Sequence, residues 1–351
     1  MNFEFRQRKI KPSIIALSIC IGLVLGTVFV LLGGYNVLEV YSYLIRGSLG
    51  SVSALSSTIR WTTAFLLCGI ASGIAFKGGM FNMGTEGQLY MGAISATLVG
   101  IYCKGLPAIA HIPLCMLAGM AAGAIWASIP ALLRVYWNTS EIVVTLMMNY
   151  IAINFTSFLV KEYFLTTGVF GDSLTTDELA ATARFPVFGG SPISFGFILG
   201  TLLVIAYILF FTKSKRGFEI KVSGVNPDFA KFSGISVNKV RISVMLMSGM
   251  VAGLAGAAEI MGVQGRFLSG FSPDFGTSGM LVALLGNSSG IGIYISAIFM
   301  GILKAGSLTL ERSAGVSRAL AVVIQALIIC FVSVKTLKVF DFKKKEGSGK
   351  E

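Results

Sequence analysis

The chain alternates apolar runs of about twenty residues with short blocks of charge, and few soluble folds can accommodate that pattern. A helix crossing a bilayer needs roughly 20 predominantly apolar residues. Such runs fall near 13–34, 58–76, 84–103, 112–133, 142–160, 194–212, 240–262, 275–292, 293–310 and 318–335. The sequence therefore predicts an all-α polytopic membrane protein with about ten transmembrane helices. Composition agrees: 54% of residues are hydrophobic and 13% charged, against about 25% charged in soluble domains. Segment 36–57 reads as holding an interfacial helix. The Gly-rich stretch 263–292 reads as broken or re-entrant.

The net charge of +12 does not point to nucleic acid, because the basic residues sit in short blocks between apolar runs. That is the pattern of loops beside anionic lipid headgroups, so membrane lipid is an expected partner. With the N-terminus inside, the cytoplasmic side holds Arg6, Arg8, Lys9, Lys11, Lys77, Arg134, the basic residues between 213 and 241, and those from 335 onward. Both termini are expected there. The chain then divides into a cytoplasmic segment 1–12, a transmembrane domain 13–335 and a basic tail 336–351 that includes Lys343, Lys344 and Lys345. A cytoplasmic loop covers 213–239 and an extracytoplasmic connection 161–193. The first apolar stretch is longer than a signal-peptide core and lacks an A-x-A site, so it is expected to stay as a span.

Several chemistries find no residues to work with. No G-x-x-x-x-G-K-[ST] phosphate cradle occurs, and H-E-x-x-H is absent. Any ATP used must be hydrolysed by another polypeptide. The five cysteines have no CxxC spacing and read as small packing residues. His111, the one histidine, reads as interfacial. No metal site, cofactor or catalytic residue is expected in this chain.

The least ordinary segment is Gly78-Gly79-Met80-Phe81-Asn82-Met83-Gly84-Thr85-Glu86-Gly87-Gln88. Its glycines weaken a helix by roughly 1 kcal/mol each relative to Ala, and Asn82, Thr85, Glu86 and Gln88 place polar groups beside or inside a span. Irregular backbone at membrane depth is tolerated where protein buries it or where it lines a wet cavity. Two readings of Glu86 stay open: a wall of a solute path, or a cap favoured by a helix macrodipole. Gly84-Thr85-Glu86-Gly87-Gln88-Leu89 is echoed by Gly276-Thr277-Ser278-Gly279-Met280-Leu281, and paired Gly-interrupted segments are a transporter signature. Thr145, Asn149 and Thr156 share one face of a span, where they either bond a polar solute or glue helices together. Glu259 has three readings: a pair with Arg266, a path-lining group or an interfacial one. Lys304 and Glu311, seven apart, read as structural.

Segment 212–241 is basic, too long for a tight turn, and patterned with Gly217-Phe218-Glu219-Ile220-Lys221, Gly224-Val225-Asn226-Pro227 and Gly234-Ile235. Asn-Pro favours a turn. Asp228 is placed to cap a short helix through Lys231 and Phe232. An amphipathic helix held on such a loop suits docking into a groove on a partner.

Three ordered stretches together resemble one family. They are Phe81-Asn82-Met83-Gly84-Thr85-Glu86-Gly87-Gln88, Glu141-Ile142-Val143-Val144-Thr145-Leu146-Met147-Met148-Asn149-Tyr150 and the loop from Gly217 to Ile235. The family is the permease subunits of bacterial ABC importers for nucleosides, simple sugars and branched-chain amino acids, and the first two stretches look most like the nucleoside-type branch. The resemblance covers about 60–335. It implies a type II ABC importer-like permease in the bacterial cytoplasmic (inner) membrane, not an enzyme. Implied partners are two ATPase subunits binding ATP and Mg, a second permease subunit, identical or homologous, and an extracytoplasmic substrate-binding protein. It places ATPase coupling on Gly217, Glu219, Gly224, Asn226, Pro227 and Gly234. Val222-Ser223 departs from the family, where many members have Ala followed by an apolar residue. The expected path is lined by Asn82, Glu86, Gln88, Thr145 and Asn149, whose amides and carboxylate beside Phe81 and Tyr150 suit a nucleoside. A simple sugar or riboflavin is the alternative cargo. An ion-coupled secondary transporter using Glu86 or Glu259 is the alternative mechanism, and an intramembrane enzyme is a more distant one.

Overall fold

The structure is a computed structural model that describes residues 27–166 except 29 and 33, then 174–186 and 195–313, with Val323 and Ala326. The expected N-terminal segment, the final span 318–335 and the basic tail lie outside the described residues, as does most of the expected span 13–34. Among the described residues the regular elements are helices, joined only by an isolated bridge between Thr175 and Leu268. In chain order the α-helices are α1 Val37–Leu49, α2 Val52–Lys77, α3 Thr85–Tyr102, α4 Ala108–Trp137, α5 Glu141–Leu159 and α6 Phe195–Lys213. There follow α7 Lys215–Val225, α8 Pro227–Phe232, α9 Val237–Glu259, α10 Phe275–Leu285 and α11 Gly290–Ser313. Both α5 and α9 continue as a wider π turn, over Val160–Phe164 and Ile260–Gln264. Six of these helices are long and apolar enough to cross a membrane, and the protein is a multi-pass membrane protein.

The expected span 275–292 ends early, within the stretch also expected to be broken: α10 stops at Leu285, Asn287 and Ser288 adopt left-handed backbone, and α11 begins at Gly290. Ser289 restarts the chain as a helix by accepting the Gly292 N–H at 3.1 Å. The polar turn Gly286-Asn287-Ser288-Ser289 wins over the apolar run because short polar side chains tolerate αL and cap the next helix. His111 also differs from expectation. It is fully buried in the first turn of α4, with Nδ1 2.9 Å from Thr182 Oγ1 and Nε2 3.2 Å from the Val99 carbonyl.

The chain forms two units, one of residues 62–298 and one of the residues up to 61 together with those from 299 onward. In the second, Val40 and Leu44 of α1 pack with Leu303 and Leu310 of α11, and Thr58 donates to the Ser48 carbonyl at 2.7 Å. The larger unit is organised by α3, α4 and α9, which touch backbone to backbone. A methyl group added at Gly92 of α3 would overlap the Gly253 backbone of α9, and one added at Gly123 of α4 would meet Gly249 and Gly253. Lipid supplies no hydrophobic force between helices, so small residues that admit close van der Waals approach take that role. Residues 251–260 are all buried as a result.

At one end of this unit residues 174–186 form a strap across the helix ends. Its amides donate to Phe267, Gly265, Gly100 and Met261 carbonyls from Thr176, Leu179, Ala180 and Phe185, at 2.9–3.1 Å. Glu178 on the strap pairs with Arg184 at 2.6 Å and with Arg266. The hydrogen bond and charge of Arg184, with the charge of Arg266, hold its carboxyl below the ordinary carboxylate value.

Replacing Gly253 by Val should lower the thermal midpoint of the purified protein by the equivalent of roughly 1–3 kcal/mol of overpacking. Met250→Val on an exposed part of the same helix should change it little; equal effects would refute the close-packed seam. Because the folded Glu178 carboxyl titrates below its unfolded value, its contribution is present above the usual Glu pKa of about 4.3 and lost as pH falls through the lower folded value. Hydrogen-exchange protection of 174–186 should therefore drop below about pH 4. Protection that holds steady there in the native protein, yet falls in Glu178→Gln at neutral pH, would contradict that sign.

Candidate functional site

The interruption between α2 and α3 begins as a helix end. Gly79 takes φ +72°, Met80 N–H returns to the Ala75 carbonyl at 3.0 Å and Gly79 N–H to the Phe76 carbonyl at 3.1 Å. This is a Schellman stop, in which a left-handed glycine lets the last carbonyls find donors. Residues 80–84 then run without regular structure until α3 starts at Thr85. Met80 is buried against Ala131 and Met245, which holds the interrupted backbone inside the protein.

Side chains supply the bonds that helix would have supplied. Asn82 Nδ2 donates to Gln88 Oε1 at 2.9 Å and to Ser248 Oγ at 2.8 Å, while Asn82 Oδ1 accepts Gln88 Nε2 at 3.1 Å and Gly84 N–H at 3.0 Å. Every donor of that amide is used and its oxygen accepts twice. Ser248 Oγ–H donates to the Ala71 carbonyl at 2.7 Å, tying α9 to α2. From α5, Asn149 Oδ1 accepts Gly87 N–H and Nδ2 donates to the Met83 carbonyl, both at 2.8 Å. Thr145 Oγ1 accepts Met83 N–H at 3.2 Å and donates to the Glu141 carbonyl at 2.6 Å. Asn82, Gln88, Thr145 and Asn149 are thus one buried network around residues 82–88. Thr156, on the same face of α5, bonds only the carbonyls of its own helix, Ala152 and Ile153.

Glu86 points away from that network. Its carboxylate accepts the N–H of Gly276 in the first turn of α10 and lies in hydrogen-bond contact with the Ser272 side chain. Ser272 Oγ also accepts Phe275 N–H at 3.1 Å. The two echoed segments therefore meet: the backbone of Gly276 lies on that of Glu86, where a Cβ would have no room. Residues 271–276 pass Tyr90 and then Glu86, so the chain approaches α10 antiparallel to α3. A carboxylate between two helix starts satisfies one unpaired N–H of α10 and complements both macrodipoles. Glu259, buried late in α9, accepts Gln264 Nε2 at 3.3 Å.

The basic segment folds as two short helices, α7 and α8. The cap of α8 is Asn226, whose Oδ1 accepts Phe229 N–H at 2.9 Å, with Pro227 at the first helical position. Asp228 lies inside the first turn, 3.9 Å from Lys231; Pro227 favours the helical start and so moves the cap one residue before it. Ser214 caps α7 through Gly217 N–H at 2.9 Å, and Gly217 is buried against the Phe210 backbone. Glu219 is partly exposed on α7, and Gly234 turns the chain after α8 with φ +78°. Gly224 sits on Lys77, Gly78 and Gly79, so α7 rests on the stop where the interruption begins. On the opposite side Phe218, Val225, Phe229 and Phe232 are exposed. Together with Lys221, Val222 and Asn226, the first three line a groove of about 400 Å³.

A span interrupted by a satisfied polar frame, with α7 and its apolar groove resting on it, agrees with the comparison to known proteins. The family described as branched-chain amino acid transport system / permease component matches residues 54–333. The chain belongs to this permease family. Among curated relatives, the permease is similar to the guanosine ABC transporter permease protein NupP of Bacillus subtilis, 35% identical over 90% of this chain and 91% of that one. It is 33% identical to the nucleoside ABC transporter permease protein NupB of Lactococcus lactis, over 94% and 92% of the two chains. It is 32% identical to the glucose ABC transporter permease protein TsgB13 of Haloferax volcanii, over 95% and 91%. Ser248, Ser272 and the seat beneath Gly224 escape a reading of the permease sequence, since small residues carry no signal of which neighbour they bond.

Glu86→Gln retains an acceptor for Gly276 N–H, whereas Glu86→Leu leaves that buried donor unsatisfied, at a cost of roughly 1–3 kcal/mol. The Leu variant should lose thermal stability and the Gln variant should stay within a few degrees of the native midpoint. Equal stability of Leu and native protein would remove the clasp.

Proposed function

We propose that this permease is the membrane subunit of an ATP-binding cassette importer that moves a nucleoside inward across the bacterial cytoplasmic membrane. The observation that carries this reading is the seat of α7 on the interruption between α2 and α3, because it joins an exposed docking surface to the buried polar frame. Partner ATPase subunits, holding ATP and Mg themselves, would dock Phe218, Phe229 and their neighbours in a groove on their own surface. Closure of the ATPases would push α7 and α8 as one lever through the Gly224 contact. Gly217, Asn226, Pro227 and Gly234 would fix the lever's shape, and Glu219 would face the partner.

The proposed orientation keeps both termini and α7–α8 in the cytoplasm, with the strap 174–186 outside, where a substrate-binding protein would deliver cargo. About ten transmembrane helices would result once the residues before 27 and after 313 are included. A second permease subunit would complete the path. Within it, Asn82, Gln88, Thr145 and Asn149 would act as the frame behind the wall, since their polar groups are spent on one another and on backbone. Glu86 would clamp the two repeats. The nucleoside assignment leans on the similarity to the guanosine and nucleoside permeases; glucose is the competing cargo.

In proteoliposomes holding this chain with its ATPases, second permease and binding protein, nucleoside uptake should require ATP and survive collapse of ion gradients. Gly224→Ala should insert normally yet lose most uptake, since a methyl group there strikes the backbone of Lys77 and Gly79. Overpacking of roughly 1–3 kcal/mol is expected at that contact. ATP-independent, ion-driven uptake would contradict the reading, and unlabelled glucose competing better than guanosine would replace the cargo.

A further inference from the structure

Helix α5 has two faces of different character. Thr145, Met148, Asn149, Ala152 and Thr156 are buried, whereas Tyr150, Asn154 and Phe158, each four residues from the next, are exposed. These three line up along the helix, neighbours about 6 Å apart. With Ile151 and Phe155 they line a groove of about 470 Å³. Trp126 of α4 stacks on Phe155 at 6.4 Å, which stiffens one edge.

Asn154 is out of place on this face. It lies near the middle of the 24-residue span Glu141–Phe164, on the order of 20 Å from the start at 1.5 Å per residue. Among the described residues of the six long spans, it is the one exposed amide or charged side chain well away from a helix end. Its Nδ2 donates to the Tyr150 carbonyl at 2.8 Å, and its Oδ1 and second N–H make no further bond among the described residues. Lipid tails cannot satisfy those groups, so a polar side chain at this depth faces an aqueous path or a polar partner.

We propose that Tyr150, Asn154 and Phe158 form a nucleobase-reading stripe on the wall of the translocation path. The proposal rests on the nucleoside reading above and assigns to it a site. An aromatic ring one turn before the amide and another one turn after it offer stacking faces to any planar base. The amide between them presents a donor and an acceptor side by side, the pair that matches a base edge carrying an acceptor next to an amino group. The stripe lies on the opposite side of α5 from Thr145 and Asn149, so the frame positions the helix while the stripe meets the cargo.

The test uses the assembled transporter in proteoliposomes, with labelled guanosine uptake competed by adenosine, uridine and ribose. Asn154→Leu should raise the half-saturation concentration about tenfold, the size of one lost bidentate base contact, and flatten the ranking among nucleosides. Its thermal midpoint should match that of the native transporter. Tyr150→Leu should weaken all nucleosides alike. Unchanged uptake and ranking in Asn154→Leu would mean that lipid covers the face and would overturn the proposal alone. Loss of the second permease from the purified Asn154→Leu complex would make the stripe a subunit contact, and also overturn it. Failure of the native transporter to take up any nucleoside would overturn both this proposal and the reading beneath it.

Discussion

A backbone that leaves its helix inside a membrane must find a partner for each N–H and C=O it releases, because lipid offers none. Here the partners are amide side chains. Asn82 and Gln88 close on each other and on Ser248, and Asn149 takes the N–H of Gly87 while giving one to Met83. This arrangement fixes the interruption between α2 and α3 as firmly as a helix would. It also anchors three helices to it: α5 through Asn149 and Thr145, α9 through Ser248, and α2 through the Ala71 carbonyl that Ser248 bonds.

Two further contacts turn this frame into a junction. At its beginning, Gly79 and Gly224 meet backbone to backbone, seating α7 on the stop of α2. At its end, Glu86 holds the first turn of α10. A displacement of α7 and α8 therefore has a short path of stiff, bonded parts to the start of α3, and from there to α10 and α5. The seam of α3, α4 and α9 behind the frame has glycine where any side chain would force the helices apart. It resists shear in the way a close-packed interior does.

Much of this was legible in the residues. Hydropathy located the six long spans among the described residues, glycine content marked the interruption after Lys77, and the pattern from Gly217 to Ile235 announced helices on a loop. The echo between 84–89 and 276–281 marked two segments that do come together, at the bond from Gly276 N–H to Glu86. Other features were hidden for physical reasons. A short apolar helix followed by a polar turn has nearly the same average hydropathy as one full span, so the run 275–292 hides the end of α10 at Leu285 and the start of α11 at Gly290. Asp228 and Asn226 are both good caps, and only the backbone position of Pro227 separates them. Burial of a lone histidine depends on a strap sixty or more residues away, with Thr182 as its partner. Asn154 passed as one more residue of an apolar helix, because period alone does not say which face a bundle covers.

The interrupted segment is a bonded, rigid junction between α7–α8 and helices α2, α3, α5 and α9. Amide hydrogen exchange at Gly84 and Gly87 in the assembled transporter, compared without nucleotide and with ATP trapped, tests it directly. The account predicts strong protection at both amides in both states, while exchange in 215–232 changes between them. Exchange at Gly84 and Gly87 as fast as that of an open loop in either state would contradict it.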